Sequence, residues 1–246
     1  MRRTFDPKEP EWMDREQPVS RELEEDLANL VSINRWFGSH RLMKKFLGVA
    51  IGDRRTARIL DLATGSGDLP RLMVAWARSR GIAVEIDAVD GNESTVEIAR
   101  GLSGDFPEIR WLKGDVLEFR SAASYDLVCC SLALHHFSEE DAVRLLRRCR
   151  ELSHRFVLVA DLERSLGTLW GVRLITALFY RAPMTRADAV ASAHRAFSYE
   201  EFGRMAERAG WEEFRQGRFL FCRQAIWLDR LKVEEISVEK VVPCLT

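Results

Sequence analysis

Apolar and polar positions follow one another along the chain in a way that predicts strands separated by helices. Five short apolar runs predict strands, and one of them is apolar throughout, as in the interior of a parallel sheet. The segments between them have one apolar face or a polar cap and predict helices. This alternation is typical of a doubly wound α/β fold with a mostly parallel sheet. The predicted strands lie at residues 59–62, 84–90, 109–112, 125–130 and 156–160.

Two segments precede the first strand. Residues 1–19 are polar and contain three prolines, which predicts a flexible N-terminal arm. Ser20 can cap a helix with one apolar face, and a second helical stretch follows Gly38. Residues 20–56 are therefore expected to form an N-terminal helical cover beside a core at 57–162.

The region after the fifth strand breaks the alternation. Residues 163–197 are too long for a simple loop and too apolar for a linker, so we expect a helical insert there. Residues 198–232 begin with a capping box and predict a helix followed by two closing strands joined at Gly217, giving seven strands in all. The tail at 233–246 has weak strand character.

Composition excludes several classes of protein. The 246 residues include 37 Lys and Arg against 38 Asp and Glu, so no basic excess favours a nucleic-acid partner. The N-terminus lacks the apolar stretch of a secretory signal, and the most apolar segment, 166–180, is shorter than a bilayer span. These features predict a cytoplasmic protein without a transmembrane segment. The five cysteines are too scattered for a disulfide framework.

A glycine-rich turn at residues 60–68 carries the first chemical signal. It lies between a strand and a helix, where Gly65 and Gly67 allow the backbone to approach a ligand. A dinucleotide site needs a third glycine, but Pro70 stands at that position and Asp68 would repel a pyrophosphate. A cation-bearing nucleoside fits this acidic turn better. A glycine-rich turn without a ligand is the alternative interpretation.

Four motifs in order resemble the class I S-adenosylmethionine-dependent methyltransferases. Residues 60–67 match the first motif of that family, and Asp90, residues 114–116 and residues 132–137 follow at the ends of successive strands. The resemblance covers roughly 57–230 and is greatest to the ubiquinone/menaquinone methylase group. It implies a Rossmann-like methyltransferase fold and S-adenosylmethionine as the cofactor.

The resemblance also implies roles for the acidic residues. Asp61 is expected to favour the ammonium group of the cofactor, and Asp90 to accept hydrogen bonds from the ribose hydroxyls. Asp115 is expected to bind the adenine amino group. Each of them could instead be an ordinary turn residue. The expected cofactor-binding residues are Asp61, Ala63, Gly65, Gly67, Asp90, Gly91, Asp115, Val116 and Ser131.

For the acceptor, the sequence predicts a hydrophobic small molecule, aromatic or similar to a polyketide or quinone, that is methylated on oxygen or carbon. His135, His136 and His194 are candidate bases, with a contact to the adenine or to the sheet edge as the alternative for the first two. No convincing pair of acids predicts a metal. The expected acceptor pocket comprises Trp36, Phe37, Trp170, Phe179, Tyr180, Met184, Arg195 and Phe197.

Two other functions remain open on the sequence. A methyltransferase fold can be adapted to non-methylating chemistry or to sensing S-adenosylmethionine, because fold does not fix function. An NAD-dependent enzyme shares the acid at position 90 but is disfavoured by Pro70. The apolar insert and the N-terminal helices are compatible with a homodimer.

Overall fold

The computed structural model of the chain describes residues 1–230. The last two residues of the predicted 198–232 segment and the predicted tail at 233–246 lie outside the described residues. Within the described part no helix is long and apolar enough to cross a membrane.

One sheet organises the described residues. Its seven strands lie in the order β3-β2-β1-β4-β5-β7-β6. Strands β1 to β5 run parallel, and β7 is antiparallel to both β5 and β6. The mostly parallel, seven-stranded sheet confirms the fold predicted from the sequence. The strands are β1 Thr56–Leu62, β2 Ala83–Asp90, β3 Ile109–Lys113, β4 Tyr125–Ser131, β5 Ser153–Leu162, β6 Arg215–Phe219 and β7 Arg223–Asp229.

Helices cover both faces of the sheet, and serine caps begin several of them. The hydroxyl of Ser20 accepts a hydrogen bond from the Leu23 amide, and Ser198 forms a complete capping box with Glu201. The predicted insert at 163–197 contains two helices, whereas its apolar pattern indicated one. The helices are α1 Arg21–Trp36, α2 Ser39–Ile51, α3 Asp68–Arg78, α4 Glu93–Gly101, α5 Glu139–Leu152, α6 Leu166–Phe179, α7 Pro183–Arg195 and α8 Tyr199–Arg208.

Two apolar layers hold the sheet between the helices. Neighbouring strand residues point to opposite faces, so Ile59 joins the layer around Phe46 and Trp227, while Leu60 joins the layer under α5 and α8. Both layers consist of fully buried aliphatic and aromatic side chains. Burial on both faces keeps the strands fixed. Because β1 to β5 run parallel, their carboxyl ends lie along one edge.

The closing hairpin differs from its predicted form. We expected strands at 211–216 and 219–228 joined at Gly217, but the turn lies at 220–222, where Phe221 and Cys222 have positive φ. Gly217 lies inside β6, and a Cβ atom there would be 3.4 Å from the Trp227 ring. This glycine therefore lies against an aromatic ring within the strand and does not form a turn.

The N-terminal arm also needs correction, because residues 1–19 are packed against the rest of the chain. The amides of Trp12 and Met13 donate to the Asp188 carboxylate at 2.8 and 3.0 Å. The Arg3 side chain donates to the carbonyls of His135 and Phe137. Backbone amides of the arm thus bind a buried carboxylate of the insert, and the Arg3 side chain binds the segment after β4.

Candidate active site

The carboxyl edge of the sheet forms a cavity of about 1020 Å³. Strand β1 lies between β2 and β4. The strands that follow β1 in the chain, β2 and β3, lie on one side of it, and β4 and β5 lie on the other side. Such a reversal opens a crevice above the strand ends, where ligands bind in folds of this kind. The loops after β1, β2, β3 and β4 all contribute to the lining, together with the arm and the insert.

The glycine turn after β1 has a left-handed backbone. Ala63, Gly65 and Gly67 have φ values of 56°, 55° and 72°. A Cβ atom at Gly65 would meet nothing within 4 Å, so a ligand can approach this backbone closely. At Gly67 a Cβ atom would lie 2.1 Å from the Trp111 ring. Gly67 therefore packs against Trp111 and does not line the cavity, unlike Gly65.

Two buried carboxyl groups support the turn from below. Burial raises the pKa of Asp61 to about 7, against hydrogen bonds from Thr64 and Cys129 that lower it. Burial also raises the pKa of Asp90, partly offset by the amides of Gly65 and Asn92, which donate at 2.8 and 3.0 Å. Each carboxyl is therefore held where a cationic or hydroxyl-bearing ligand would stabilise its charged form.

The third predicted acid, Asp115, follows β3 and faces the same cavity. Its side chain is exposed and accepts a hydrogen bond from the Leu117 amide at 2.8 Å. The structure thus brings together all the predicted cofactor residues except Gly67. Those lining the cavity are Asp61, Ala63, Gly65, Asp90, Gly91, Asp115, Val116 and Ser131.

Further acids line the cavity, namely Asp68, which belongs to the acidic turn singled out in the sequence, and two acids of the arm that the sequence analysis missed. Asp68 accepts hydrogen bonds from Asn34 and from His40, the latter at 2.7 Å. Glu11 and Asp14 reach the cavity from the arm. The only signal for these two was the acidic run in the arm, which could equally have been a solvated segment.

Two histidines after β4 reach the cavity, and the first forms a buried pair. Nδ1 of His135 lies 2.7 Å from Oδ1 of Asp161, and its amide donates to the other carboxylate oxygen at 2.9 Å. Burial alone would raise the pKa of Asp161, but the charge and hydrogen bond of His135 lower it. Because a carboxylate accepts, Nδ1 carries the shared proton. Among the described residues Nε2 has no hydrogen-bond partner, and it lies 3.8 Å from Glu11.

His136 differs from His135 in that nearby carboxylates raise its pKa. Its Nδ1 atom lies 2.5 Å from the Asp14 carboxylate. Burial alone would lower the pKa of His136, but the charges of Asp14 and Glu11 raise it to about 10. An imidazolium cannot accept a proton at neutral pH, so this side chain is suited to an ion pair. His194 lies on α7 outside the cavity lining, so the structure does not bring it to the other two.

The far end of the cavity is apolar. Leu27, Leu30 and Ile33 of α1 and Val172 and Ile175 of α6 line it. Helix α6 is apolar all round, and its smaller side chains point inward.

Of the predicted acceptor pocket, only Phe37 lines the cavity. Trp36, Trp170 and Phe179 point to the exterior. The face of α6 opposite Trp170 lines the cavity, and Phe179 ends the helix outside the lining. The hydroxyl of Tyr180 donates to Ser32 at 3.0 Å, outside the lining. The others that the structure does not bring to the cavity are Met184, Arg195 and Phe197.

A group of three side chains within the described residues has donor atoms of the kind that bind metal ions. Glu11, His135 and His136 bring one such atom each within 4.8 Å of one another. Glu11 also accepts hydrogen bonds from Ser192, and His136 is paired with Asp14. Bonds within the protein therefore account for the positions of both, and the set is described most simply as an ion-pair network.

Sequence comparison identifies a related domain. Residues 59–154 match the family described as methyltransferase domain. A ubiquinone/menaquinone biosynthesis C-methyltransferase of Azotobacter vinelandii is 28% identical over 142 residues, 54% of this chain and 53% of that protein. A 2-phytyl-1,4-naphtoquinone methyltransferase of Thermosynechococcus vestitus is 36% identical over 81 residues, 33% of this chain and 35% of that protein. The chain thus spans about half or less of the length of these relatives.

Solved structures share the fold over most of the chain. The plantazolicin methyltransferase BpumL, in complex with a substrate analogue and SAH, superposes with a TM-score of 0.67 at 14% identity, covering 85% of this chain and 91% of that one. The magnesium protoporphyrin IX methyltransferase ChlM of Synechocystis superposes with a TM-score of 0.55 at 16% identity, covering 87% and 90%. At these identities the likeness establishes the fold.

Proposed function

We propose that this chain, which has the class I S-adenosylmethionine-dependent methyltransferase fold and carries a methyltransferase domain, methylates an oxygen or carbon atom of a hydrophobic small molecule. One observation carries the proposal: carboxylates at the ends of β1 and β2 and after β3 face a single cavity beside the open backbone of Gly65. The rest of the cavity supplies the acceptor end and a base.

The residues at the donor end fit S-adenosylmethionine. Asp61 and Asp68 place negative charge beside the glycine turn, which suits a ligand with an ammonium and a sulfonium. Asp90 retains acceptor capacity for hydroxyl groups, since each of its oxygens accepts one amide in the structure. The same acids would repel the phosphates of a dinucleotide. A volume of about 1020 Å³ holds a nucleoside and a second small molecule together.

Bound S-adenosylmethionine supplies an electrophilic methyl group on a positively charged sulfur. The chain contributes positioning and exclusion of water. The apolar walls of α1 and α6 hold the acceptor, and the arm closes the cavity near Asn92 through Met13 and Gln17. Holding two reactants in line in a water-poor cavity removes much of the entropic barrier to displacement.

His135 is the base that fits this arrangement. Asp161 orients the ring through Nδ1, so Nε2, which is buried without a hydrogen-bond partner 3.8 Å from Glu11, is the remaining ring atom that can accept a proton. When an acceptor hydroxyl or activated ring carbon loses its proton, Nε2 takes it and Asp161 stabilises the resulting imidazolium. His136, already protonated by its pair with Asp14, can instead stabilise an oxyanion on the acceptor.

The shape of the acceptor end favours a phenol, quinol or related ring with an apolar substituent. Leu27, Leu30 and Ile175 offer dispersion contacts and no hydrogen bonds, so polar groups of the acceptor must face the histidines. Relatives named for quinone biosynthesis act on rings of this class, which supports the same assignment.

The test uses methyl-labelled S-adenosylmethionine with a panel of alkylphenols, quinols and hydroxylated polyketide-like rings, analysed by mass spectrometry. We expect a product one methyl group heavier, with formation strongly reduced in Asp90→Ala at a concentration of S-adenosylmethionine that does not saturate the variant. A polar panel of amino acids and nucleosides is the control. Binding of S-adenosylmethionine without transfer to any ring would favour a sensor, and turnover of the polar panel alone would contradict the acceptor class.

A further inference from the structure

Helix α6 presents an apolar stripe to the exterior. Leu166, Trp170, Leu174 and Leu178 recur every four residues and lie on one face of the helix. Trp170 is 67% exposed and the adjoining Phe179 is 72% exposed. Scattered single apolar residues are ordinary on protein surfaces, but a continuous stripe of this size marks an interaction site.

The stripe lies on the outer face of a helix that forms a wall of the cavity. Val172 and Ile175, on the opposite face of α6, line the cavity, so one helix separates it from the exterior. Phe37 and Phe221, with ring centroids 5.4 Å apart, line the same cavity, and Phe221 is half exposed. The exposed Trp36 precedes Phe37. The rim patch is defined here as Trp36, Leu166, Trp170, Leu174, Leu178, Phe179 and Phe221.

The charged side chains along α6 and the start of α7 have one sign. Residues 165–187 contain Arg173, Arg181 and Arg186, all exposed, and no acidic residue. The exposed Arg35 lies next to Trp36, with its guanidinium 5.9 Å from the indole ring. Aromatic and aliphatic side chains flanked by arginine are the composition of helices that lie in a membrane interface, where anionic headgroups attract the cations.

We propose that the rim patch docks reversibly on the surface of an anionic lipid bilayer. In this orientation α6 lies flat, since it is too short to span the bilayer, and its Arg173, with Arg181 and Arg186 that follow it in the chain, reaches the headgroups. The cavity then lies one helix away from the acyl chains, in which an apolar acceptor dissolves. Docking itself does not depend on methyl transfer, so the two proposals can fail separately.

A second copy of the chain is the main alternative occupant, and the charges disfavour it. In a symmetric dimer the rim patch of one copy would contact the rim patch of the other. This contact would place Arg173, Arg181 and Arg186 of one copy near those of the other. No acidic residue within 165–187 would neutralise them. An anionic lipid surface matches both the apolar stripe and the charge.

Vesicle sedimentation tests the proposal. Vesicles of phosphatidylcholine with phosphatidylglycerol are expected to pull down the chain at low salt, and those of phosphatidylcholine alone to bind it weakly. Trp170→Ser with Leu174→Ser is expected to reduce binding at least about tenfold, because both side chains lose apolar contact area. The matched control is Leu102→Ser, which removes an equally exposed leucine beside α4 and should leave binding unchanged.

A second variant separates the electrostatic part. Arg173→Gln, Arg181→Gln and Arg186→Gln together are expected to weaken binding to the anionic vesicles about fivefold per arginine and to leave weak binding to phosphatidylcholine unchanged. The proposal is overturned if the unaltered chain stays in the supernatant with anionic vesicles. It is equally overturned if the Trp170→Ser, Leu174→Ser chain binds as well, or if sedimentation velocity without lipid shows a dimer that this variant dissociates.

Discussion

Nδ1 of His135 lies 2.7 Å from Oδ1 of Asp161, and both side chains are buried beneath the cavity. The carboxylate also accepts the His135 amide, so ring and backbone are fixed by the same group. A ring held in this way presents Nε2 in one direction and in one tautomer. This is the arrangement a general base requires before its substrate arrives.

Replacement of His135 by Asn is therefore expected to slow methyl transfer by about 10²- to 10⁴-fold, the usual contribution of a positioned base. Affinity for S-adenosylmethionine should change little. Asp161→Asn should lower the rate and shift the pH profile, because the tautomer and the imidazolium both lose support. His194→Asn is the matched control, since His194 lies outside the cavity lining. An unaltered pH–rate profile in His135→Asn would refute the role of the base.

The acidity of Asp61 predicts a pH dependence of cofactor binding. Burial raises its pKa to about 7, so about half of the carboxyl groups are protonated at that pH. A cationic ligand favours the charged form of Asp61, so the affinity for the ligand should rise as pH increases from 6 to 8. At pH 6, binding should release a proton from this carboxyl group. Calorimetry in buffers of different ionisation enthalpy measures this release. Asp61→Asn should bind more weakly and lose the pH dependence; a persistent dependence would assign it to another group.

Gly67 predicts a stability effect that is separate from ligand contact. A Cβ atom there would lie 2.1 Å from the Trp111 ring, and the residue has a positive φ of 72°. Gly67→Ala is expected to lower the free energy of unfolding by about 2–4 kcal/mol, from backbone strain and overpacking. Chemical denaturation measures it, and Trp111→Leu in the same chain should recover part of the loss. Equal losses with and without Trp111 would show that the contact is unimportant.

Hydrogen bonds to Asp188 are predicted to hold the N-terminal arm in place. Its carboxylate accepts the amides of Trp12 and Met13, although burial raises its pKa to about 6. In Asp188→Ala these amides should exchange hydrogen about tenfold faster or more, because each loses a bond to a charged group. Asp6→Ala is the control within the arm, since Asp6 bonds only locally to the Lys8 amide. Unchanged exchange at Trp12 and Met13 would show that other contacts fix the arm.

The sequence predicted best those parts of the site whose residues are neighbours along the chain. The glycine turn and the acid at the end of β2 are read from strand ends, because parallel strands bring their carboxyl ends together. The arm was not predictable, since its hydrogen bonds join Trp12 and Met13 to Asp188, far along the chain. The prediction of the acceptor pocket failed for another reason. Helix α6 carries apolar residues on every face, so the periodicity of its sequence does not show which face turns inward.

Calorimetry with S-adenosylmethionine tests the central claim most directly. We predict that the unaltered chain binds S-adenosylmethionine and S-adenosylhomocysteine and does not bind NAD. Asp90→Ala should weaken binding by about 10- to 100-fold, the effect of losing hydrogen bonds to a charged group. Tighter binding of NAD, or an Asp90→Ala chain with unchanged affinity for S-adenosylmethionine, would contradict the account.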